Sequence, residues 1–235
     1  MTHEINDVGQ PIGEALPEFW PRPRPERKTL PGRTCRLEPV DVDKHADDAF
    51  DAYLLAPDGS DWTYLPTERF TDRDAYRAHI AAAQASEDPL YFAIVDVATG
   101  KAVGTASLLR IDPANGVIEV GWIAYSPLIK RTPMGTEAMY LFMRYCMDDL
   151  GYRRYEWKCN ALNAPSCRAA VRYGFTFEGI FRQAAVVKQR NRDTAWYSIL
   201  DSEWPAVRSA FERWLDPSNF DSDGQQRAPL NSFRA

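Results

Sequence analysis

The chain has 235 residues, and its 28 lysines and arginines against 33 aspartates and glutamates give a formal net charge of −5. Hydrophobic residues make up 45% and charged residues 26%, which is typical of a globular domain; the acidic balance argues against a general binder of nucleic acid or anionic membranes. No apolar run approaches the roughly 18 residues of a membrane span, and residues 1–30 lack the apolar segment of a signal peptide, so we expect a cytoplasmic protein.

The cysteines predict buried thiols and no metal site. Cys35, Cys146, Cys159 and Cys167 form no C-x-x-C pair, and the histidines do not cluster with them. Metal sites built from thiolate and imidazole ligands usually show such spacings in the sequence.

The two ends of the chain differ from its middle. Residues 1–31 are rich in proline, and "PRPRPERK" favours an extended, polyproline-like arm. We expect this arm to lie on its own domain or on a second subunit, anchored by Phe19 and Trp20, rather than to serve as a ligand for a partner's aromatic groove. Residues 216–235 are polar and lack periodicity, which predicts a flexible tail.

Between these ends, in residues 32–215, helix-type and strand-type spacing alternate. The predicted elements in chain order are a strand at 34–40, helices at 41–56 and 71–86, two strands within 90–111 joined at 98–101, a strand at 115–125, a helix at 135–151, a strand at 153–159, a helix at 164–174, a hairpin at 175–201 and a helix at 202–215. This alternation predicts an α/β domain with a mixed sheet.

Single residues mark the ends of several elements. Expected helix caps are Asp41 or Asp43, then Thr71 and Ser202, and Gly151 is an expected helix stop. The hairpin is predicted to turn within "RNRD", residues 190–193.

The stretch "LIKRTPMGTEAMYL", residues 128–141, is a candidate anion site. It follows a strand and opens a helix, whose free N–H groups attract anions. Lys130 and Arg131 add positive charge, Thr136 adds a hydroxyl, and Gly135 permits close backbone approach. Pro133 removes one N–H donor, but proline is favourable in the first turn of a helix.

The neighbouring motifs give this loop a context. "IEVGWIAYSP" precedes it and "NAPSCRAAVRYGF" follows the next strand, and the ordered set resembles the GNAT superfamily of acetyl-coenzyme A-dependent N-acetyltransferases, in the RimJ/RimL-like branch. The resemblance runs from about residue 34 to 205. It implies a mixed, mostly antiparallel sheet of about seven strands flanked by helices, with central strands that splay apart.

The resemblance also implies how acetyl-CoA is held. The family loop Q/R-x-x-G-x-G/A corresponds to Lys130, Pro133 and Gly135, so proline replaces the first glycine. Backbone groups of the strand "IEVGWIAY", residues 118–125, would pair with the pantetheine arm, and Asn163 with its helix would help hold the thiol end. The implied cofactor residues are Trp122, Ile123, Ala124, Lys130, Arg131, Met134, Gly135, Thr136, Asn163 and Ser166.

Catalysis needs a base, because an amine attacks a thioester only when it is neutral. Glu119 lies where several family members carry a glutamate base; the alternative is a solvated strand residue paired with an arginine. The N–H of Ile123 would polarise the thioester oxygen. Many family members carry a tyrosine that acts as the acid toward the leaving thiolate, and its position is Ala170 here. Ser166, which lies one helical turn earlier on the same face, is the substitute candidate for this acid. Tyr173 is near the same face, although a core aromatic is its favoured interpretation.

Other residues leave alternatives open. Trp62 and Tyr64 stand in the loop that covers the acceptor site in related folds, and they either recognise the substrate or pin the loop. A covalent acetyl-Cys159 or acetyl-Cys167 is disfavoured, since no histidine lies nearby to activate either thiol. The cluster "KQRNRD", residues 188–193, is either a solvated hairpin tip or a group that steers acidic substrates.

The leading hypothesis is therefore direct acetyl transfer from acetyl-CoA to the primary amine of a protein N-terminus or a small molecule. Pro133 and Ala170 motivate an alternative, a coenzyme A-binding module without catalysis. A third possibility is an interaction protein recruited through its arm. The long hairpin and the arm make a homodimer reasonable.

Overall fold

The computed structural model describes residues 3–234, and a single large sheet organises them. Its eight strands lie in the order β3–β4–β5–β6–β7–β8–β10–β9. In chain order they are β3 (Leu30–Pro31), β4 (Cys35–Pro39), β5 (Leu90–Asp96), β6 (Ala102–Asp112), β7 (Val117–Tyr125), β8 (Arg154–Asn160), β9 (Thr176–Val187) and β10 (Arg190–Leu200). A separate small hairpin near the N-terminus pairs β1 (His3–Ile5) with β2 (Pro11–Gly13).

Helices cover both faces of this sheet. They are α1 (Val42–Leu54), α2 (Arg73–Ala85), α3 (Pro133–Arg144), α4 (Ala164–Tyr173) and α5 (Trp204–Leu215). The predicted α/β class and the mixed, mostly antiparallel sheet are confirmed, since only β7 and β8 among the neighbouring strands of the described sheet run parallel. None of the helices in residues 3–234 has the length and apolar character to cross a bilayer.

Two hydrophobic clusters form, one on each face of the sheet. Side chains alternate along a strand, so Phe92 and Ile94 of β5 enter the larger cluster, with α3 and α5. Ala93 and Val95 enter the smaller cluster, with α1 and α2. Because β5 is buried on both faces, it reads as a continuous apolar run in the sequence.

Helix caps follow local chemistry closely but not always at the expected residue. Asp41 caps α1 as predicted, accepting from the N–H groups of Asp43 and Lys44. The cap of α2 is Asp72 rather than Thr71, because its carboxylate reaches the N–H of Ala75 at 2.7 Å. Before α5, Ser202 does not cap; the N-cap residue is Glu203, which makes no side-chain cap bond.

The long hairpin turns two residues earlier than the sequence suggests. Lys188 and Gln189 both have positive φ, 49° and 58°, and Val187 pairs with Arg190. A two-residue turn with both central residues at positive φ matches the right-handed twist of its strands. The predicted turn at 190–193 is therefore wrong, and that segment belongs to β10.

The two ends of the chain pack on the domain. In the arm, the N–H of Glu26 donates to Tyr145 (2.7 Å) and the carbonyl of Pro23 accepts from Tyr152 (3.1 Å). Trp20, an expected anchor, is 72% exposed. In the tail, Leu230 is 1% exposed and packs with the core, so the segment expected to be flexible is attached by an apolar side chain. The limits of the domain at 32 and 215 remain a prediction.

A carboxylate from α3 holds the chain just before the first long strand. Glu137 is 6% exposed and accepts from the N–H groups of Arg33 (2.7 Å), Thr34 (2.6 Å) and Cys35 (3.2 Å), as well as from the Thr34 hydroxyl. Such bonds to a charged acceptor are stronger than neutral ones. Since α3 begins at Pro133, one turn earlier, this clamp fixes the helix N-terminus relative to the sheet.

We expect Glu137→Ala to lower the free energy of unfolding by about 3 kcal/mol, because three N–H groups then lose their acceptor in a poorly solvated position. Glu137→Gln retains one acceptor oxygen, so its free energy of unfolding should lie between those of the wild type and Glu137→Ala. Urea denaturation measures the difference, with Glu87→Ala at an exposed glutamate as the matched control. Equal losses in Glu137→Ala and Glu87→Ala would contradict this role.

Candidate active site

A cavity of about 1190 Å³ opens where β7 and β8 part. The two strands pair only from Val117 with Arg154 to Val120 with Trp157. Beyond that pair, Gly121 to Tyr125 and Lys158 to Asn160 line opposite walls of the cavity. The splayed central strands expected from the resemblance are therefore present, and the separation creates the site.

One end of the cavity is the N-terminus of α3. Pro133 occupies the first turn. The N-cap residue Thr132 makes no side-chain cap bond, and its hydroxyl donates to the Ile129 carbonyl at 2.8 Å. Unsatisfied N–H groups at a helix start favour anions. Thr136 lies in this first turn, and its hydroxyl accepts from Arg172 at 3.0 Å.

The two basic residues of the loop before α3 behave differently. Lys130 forms an ion pair with Asp61 of the loop between α1 and α2, so its charge is partly neutralised. Arg131 is exposed, lines the cavity and has a positive φ of 60°. The Met134 side chain packs against the hydrophobic core and does not line the cavity. Only its backbone N–H is therefore a candidate for anion binding.

Gly135 is favoured by packing within the chain itself. A Cβ atom there would lie 3.0 Å from the carbonyl oxygen of Ile129 and 3.2 Å from the ring of Tyr125. The Tyr125 hydroxyl donates to the Gly135 carbonyl at 3.0 Å. The glycine therefore lets α3 approach β7 closely, a reason that the sequence alone did not indicate.

The strand wall of the cavity contains a bulge. Thr105 pairs with Ala124 and Ser107 with Gly121, so Trp122 and Ile123 stand opposite one residue of β6. Trp122 has a positive φ of 50°, an uncommon conformation that recurs at functional sites. The expected pantetheine residues Trp122, Ile123 and Ala124 all line the cavity.

Helix α4 forms the facing wall. Asn163 is its N-cap, and its side-chain oxygen accepts from the N–H of Ser166 at 3.2 Å. The Ser166 hydroxyl accepts from the indole of Trp157 at 3.1 Å. A serine that accepts in this way still has its own O–H to donate.

The two other positions considered for an acid do not supply a free hydroxyl. Ala170 has no hydroxyl group, and it is fully buried. Tyr173 is buried too, and its hydroxyl donates to the Gly135 carbonyl at 3.4 Å. Burial also raises the pKa of Tyr173, which agrees with a core aromatic at this position.

The opposite end of the cavity contains Glu119. Its carboxylate Oε2 lies 3.0 Å from Lys158 Nζ and 3.2 Å from Arg110 Nε. Lys158 also pairs with Glu156 at 2.6 Å and stands 3.8 Å above the Trp196 ring. Glu119 is thus paired with an arginine, but it is only 5% exposed and is not a solvated strand residue.

Burial dominates the ionisation of Glu119. Loss of hydration raises the pKa of its carboxyl, and the charges of Lys158 and Arg110 pull it back in part. Glu156 lies directly opposite Glu119 in the parallel register and adds repulsion. A buried carboxylate with a raised pKa is suited to accept a proton near neutral pH.

The loop between α1 and α2 is fastened over the cavity. Trp62 is 6% exposed and packs edge-on against Tyr53 and Phe70, so it anchors the loop. Tyr64 donates to the Leu162 carbonyl at 3.0 Å. Lys188 donates to the Trp62 carbonyl at 2.8 Å, which gives the basic cluster of the hairpin a structural contact.

Among the side chains that the structure describes, no histidine is hydrogen-bonded to a cysteine. The sulfur atoms of Cys159 and Cys167 lie 3.6 Å apart, and burial raises the pKa of Cys159 to about 12. His45 contacts Glu38, and His79 packs on the Phe70 ring in the smaller cluster. In residues 3–234 no group of three His, Cys, Asp or Glu side chains is arranged to hold a metal ion.

Sequence reasoning missed many cavity residues, among them Arg110, Lys158, Arg172 and Trp196. The alternation of Glu156 and Lys158 places both on one face of a strand and was the available signal. Their meeting with Glu119 depends on the register between β7 and β8, which no local pattern encodes.

Comparisons with known proteins agree with this architecture. The family model described as an acetyltransferase (GNAT) domain matches residues 35–176. A GCN5-related N-acetyltransferase from Brucella melitensis is 53% identical, with a TM-score of 0.91 over 93% of this chain and 99% of that chain. A probable GNAT-family acetyltransferase from Chromobacterium violaceum ATCC 12472 is 36% identical, with a TM-score of 0.77 over 83% of this chain and 98% of that chain.

A shorter match relates the chain to a ribosomal-protein-serine acetyltransferase of Escherichia coli (strain K12), at 29% identity over 103 residues. It covers 43% of this chain and 56% of that relative, so the chain spans about half of the relative's length.

Parted strands beside an open helix N-terminus are the arrangement that the resemblance to acetyltransferases implies. The matched family covers more than half of the chain, and the chain belongs to the GNAT acetyltransferase family. The resemblance to the GNAT superfamily, stated from the motifs around residues 117–178, is confirmed. The partial match to a ribosomal-protein-serine acetyltransferase agrees with its RimJ/RimL-like branch.

We expect Lys158→Met to destabilise the protein because it leaves two buried carboxylates, Glu119 and Glu156, facing each other. Loss of one partner from a buried ion pair costs about 3 kcal/mol or more. A carboxyl whose folded pKa is raised favours the folded state at low pH and loses that advantage as pH rises above the unfolded value. The loss should therefore be larger near pH 8 than near pH 5.

Urea denaturation at both pH values measures this effect, with Lys101→Met at an exposed lysine as control. A loss that does not change with pH would mean that Lys158 stabilises by packing on Trp196 alone.

Proposed function

We propose that this protein transfers an acetyl group from acetyl-CoA to a primary amine by direct attack of the amine on the thioester. The observation that carries the proposal is the continuous cavity between the open N-terminus of α3 and the buried carboxylate of Glu119. An anion-binding end and a proton-accepting end in one cavity match the two ends of this reaction.

The donor is proposed to bind along α3 and α4. The N–H groups of Gly135 and Thr136, with Arg131 and Arg172, supply charge for the pyrophosphate. Pro133 costs one donor but stands where helices tolerate proline. The edge of β7 at Trp122–Ala124, which β8 leaves unpaired, and the cap at Asn163 would position the pantetheine arm, so that proximity supplies much of the catalysis.

In the proposed reaction the amine nitrogen forms a bond to the acetyl carbon while the carbon–sulfur bond breaks. The proton of the amine passes to Glu119, directly or through one water. The N–H of Ile123 stabilises charge on the thioester oxygen. The leaving thiolate receives a hydrogen bond from Ser166, whose hydroxyl is oriented by Trp157.

The acceptor is a primary amine of a protein N-terminus or a small molecule. The Escherichia coli relative, named for a ribosomal protein serine, favours a protein N-terminus.

The proposed chemistry requires no metal ion. We further propose a cytoplasmic enzyme that acts on neither nucleic acid nor membranes and forms a homodimer, supported by exposed apolar side chains on edge strand β9: Phe177, Ile180, Phe181 and Val186.

Glu119→Gln should lower kcat by roughly 100-fold while the Kd for coenzyme A stays within a factor of about two, because a base acts on the amine and not on the donor. The wild-type rate should fall at low pH with an apparent pKa above that of an ordinary glutamate, and this limb should vanish in the variant. Steady-state kinetics over a pH series and calorimetry test both points. Retained turnover would remove Glu119 from the mechanism.

Arg172→Met should weaken coenzyme A binding by about tenfold, because its guanidinium lies beside the first turn of α3 and adds to the charge that Arg131 supplies there. Isothermal calorimetry measures the Kd, and Arg213→Met, at an exposed arginine of α5, is the control. Tight binding of coenzyme A by the wild type without transfer to any amine would favour a non-catalytic module instead.

A further inference from the structure

We infer that the acceptor of this enzyme carries a carboxylate near its amine, and that Arg110 recognises it. This inference rests on the proposed acetyl transfer and names the substrate class of the same site. It concerns the part of the cavity that is formed by strands β6 to β10, away from the helix α3 that would hold the donor.

The charge of this wall is opposite to that of the whole chain. The net charge of the protein is −5, yet the charged side chains that β6 to β10 contribute to the cavity are three cations, Arg110, Lys158 and Arg192, and one carboxylate, Glu119. If Glu156, which pairs with Lys158, is counted as well, the three cations of this wall still outnumber its two carboxylates. Clefts lined by one sign of charge concentrate ligands of the other sign.

Of these cations, Lys158 is already engaged. Its side chain is 5% exposed, and its ammonium lies between Glu119 and Glu156 over the Trp196 ring. It therefore serves the internal charge balance of the site. Arg110 differs, because its side chain is 64% exposed although its Nε atom pairs with Glu119. Its two terminal nitrogen atoms are not needed for that pair and are the donors that bind carboxylates in a fork.

The backbone places Arg110 at the site by a specific arrangement. Its φ is +48°, an uncommon value for a residue with a side chain, and the β6–β7 register shifts between Leu109 and Asp112. The carboxylate of Asp88 accepts from the N–H groups of Arg110 (2.9 Å) and Ile111 (3.1 Å), which stabilises this bulge. Bulges of this kind redirect side chains next to active sites.

The position of Arg110 also sets the distance between the two functional groups of the acceptor. The guanidinium touches the same carboxylate, Glu119, that takes the proton from the amine. An acceptor whose amine is at Glu119 therefore presents its neighbouring atoms to Arg110. A free α-amino acid and a peptide with an acidic residue at its N-terminus share this chemistry, and the experiment distinguishes them.

The test compares acceptors that differ only in one charge: amino acids against their amides, and short peptides beginning with Glu against those beginning with Gln. The ratio of kcat/KM for acid over amide is the readout, because Arg110 also contacts Glu119 and its loss alters both rates. We expect a ratio of about ten or more in the wild type for at least one source. Arg110→Met should reduce it to near one, and Arg110→Lys should retain part of it.

Arg213→Met, at an exposed arginine of α5 outside the cavity, should keep the wild-type ratio. A wild-type ratio near one for both sources, or a ratio unchanged in Arg110→Met, overturns the inference. If Arg110→Met does not fold, the acid-to-amide ratios of kcat/KM in the wild type and in Arg110→Lys are compared instead, and a ratio that is unchanged in Arg110→Lys overturns the inference. If the wild type acetylates no amine, the proposed function fails; calorimetry of the same acid and amide pairs with the protein–coenzyme A complex then decides the inference separately.

Discussion

The central sheet divides after Val120 and Trp157, where the parallel pairing of β7 and β8 ends. Backbone N–H and C=O groups beyond that point need other partners, since unpaired buried groups are costly. On one side the bulge at Trp122 and Ile123 adjusts β7 to β6. On the other side β8 stays paired with β10. The space between the strands becomes the cavity, and every residue of the candidate site is positioned relative to this separation.

Burial of charge is the second constraint. Glu119 and Glu156 face each other across the parallel strands, and two buried carboxylates at that spacing would repel strongly. Lys158 lies between them and compensates that repulsion, while the aromatic face of Trp196 shields the ammonium from water. The result is a carboxylate that is paired yet raised in pKa. The same arrangement that keeps the sheet stable thus supports the proposed base.

The loop before α3 combines an apparent defect with compensation. Pro133 removes a donor, but the helix N-terminus remains uncapped by side chains and Arg172 approaches from α4. Glu137, one turn along, fastens α3 to the start of β4. Gly135 serves the contact of α3 with Tyr125 of β7. The loop is therefore held by the protein, which reduces the entropy lost when an anion binds.

Local patterns determined the element types and the motif order that identified the family, and they narrowed the cap of α1 to Asp41 or Asp43, because periodicity, capping and turn chemistry act over a few residues. The same patterns missed by one or two residues at the caps of α2 and α5 and at the hairpin turn, where neighbouring residues compete for the same role. Tertiary structure alone decided that Glu119 is buried with Lys158, that Arg110 enters the cavity, and that the tail packs through Leu230. These contacts depend on strand register and on packing between segments far apart in sequence, which no local pattern specifies.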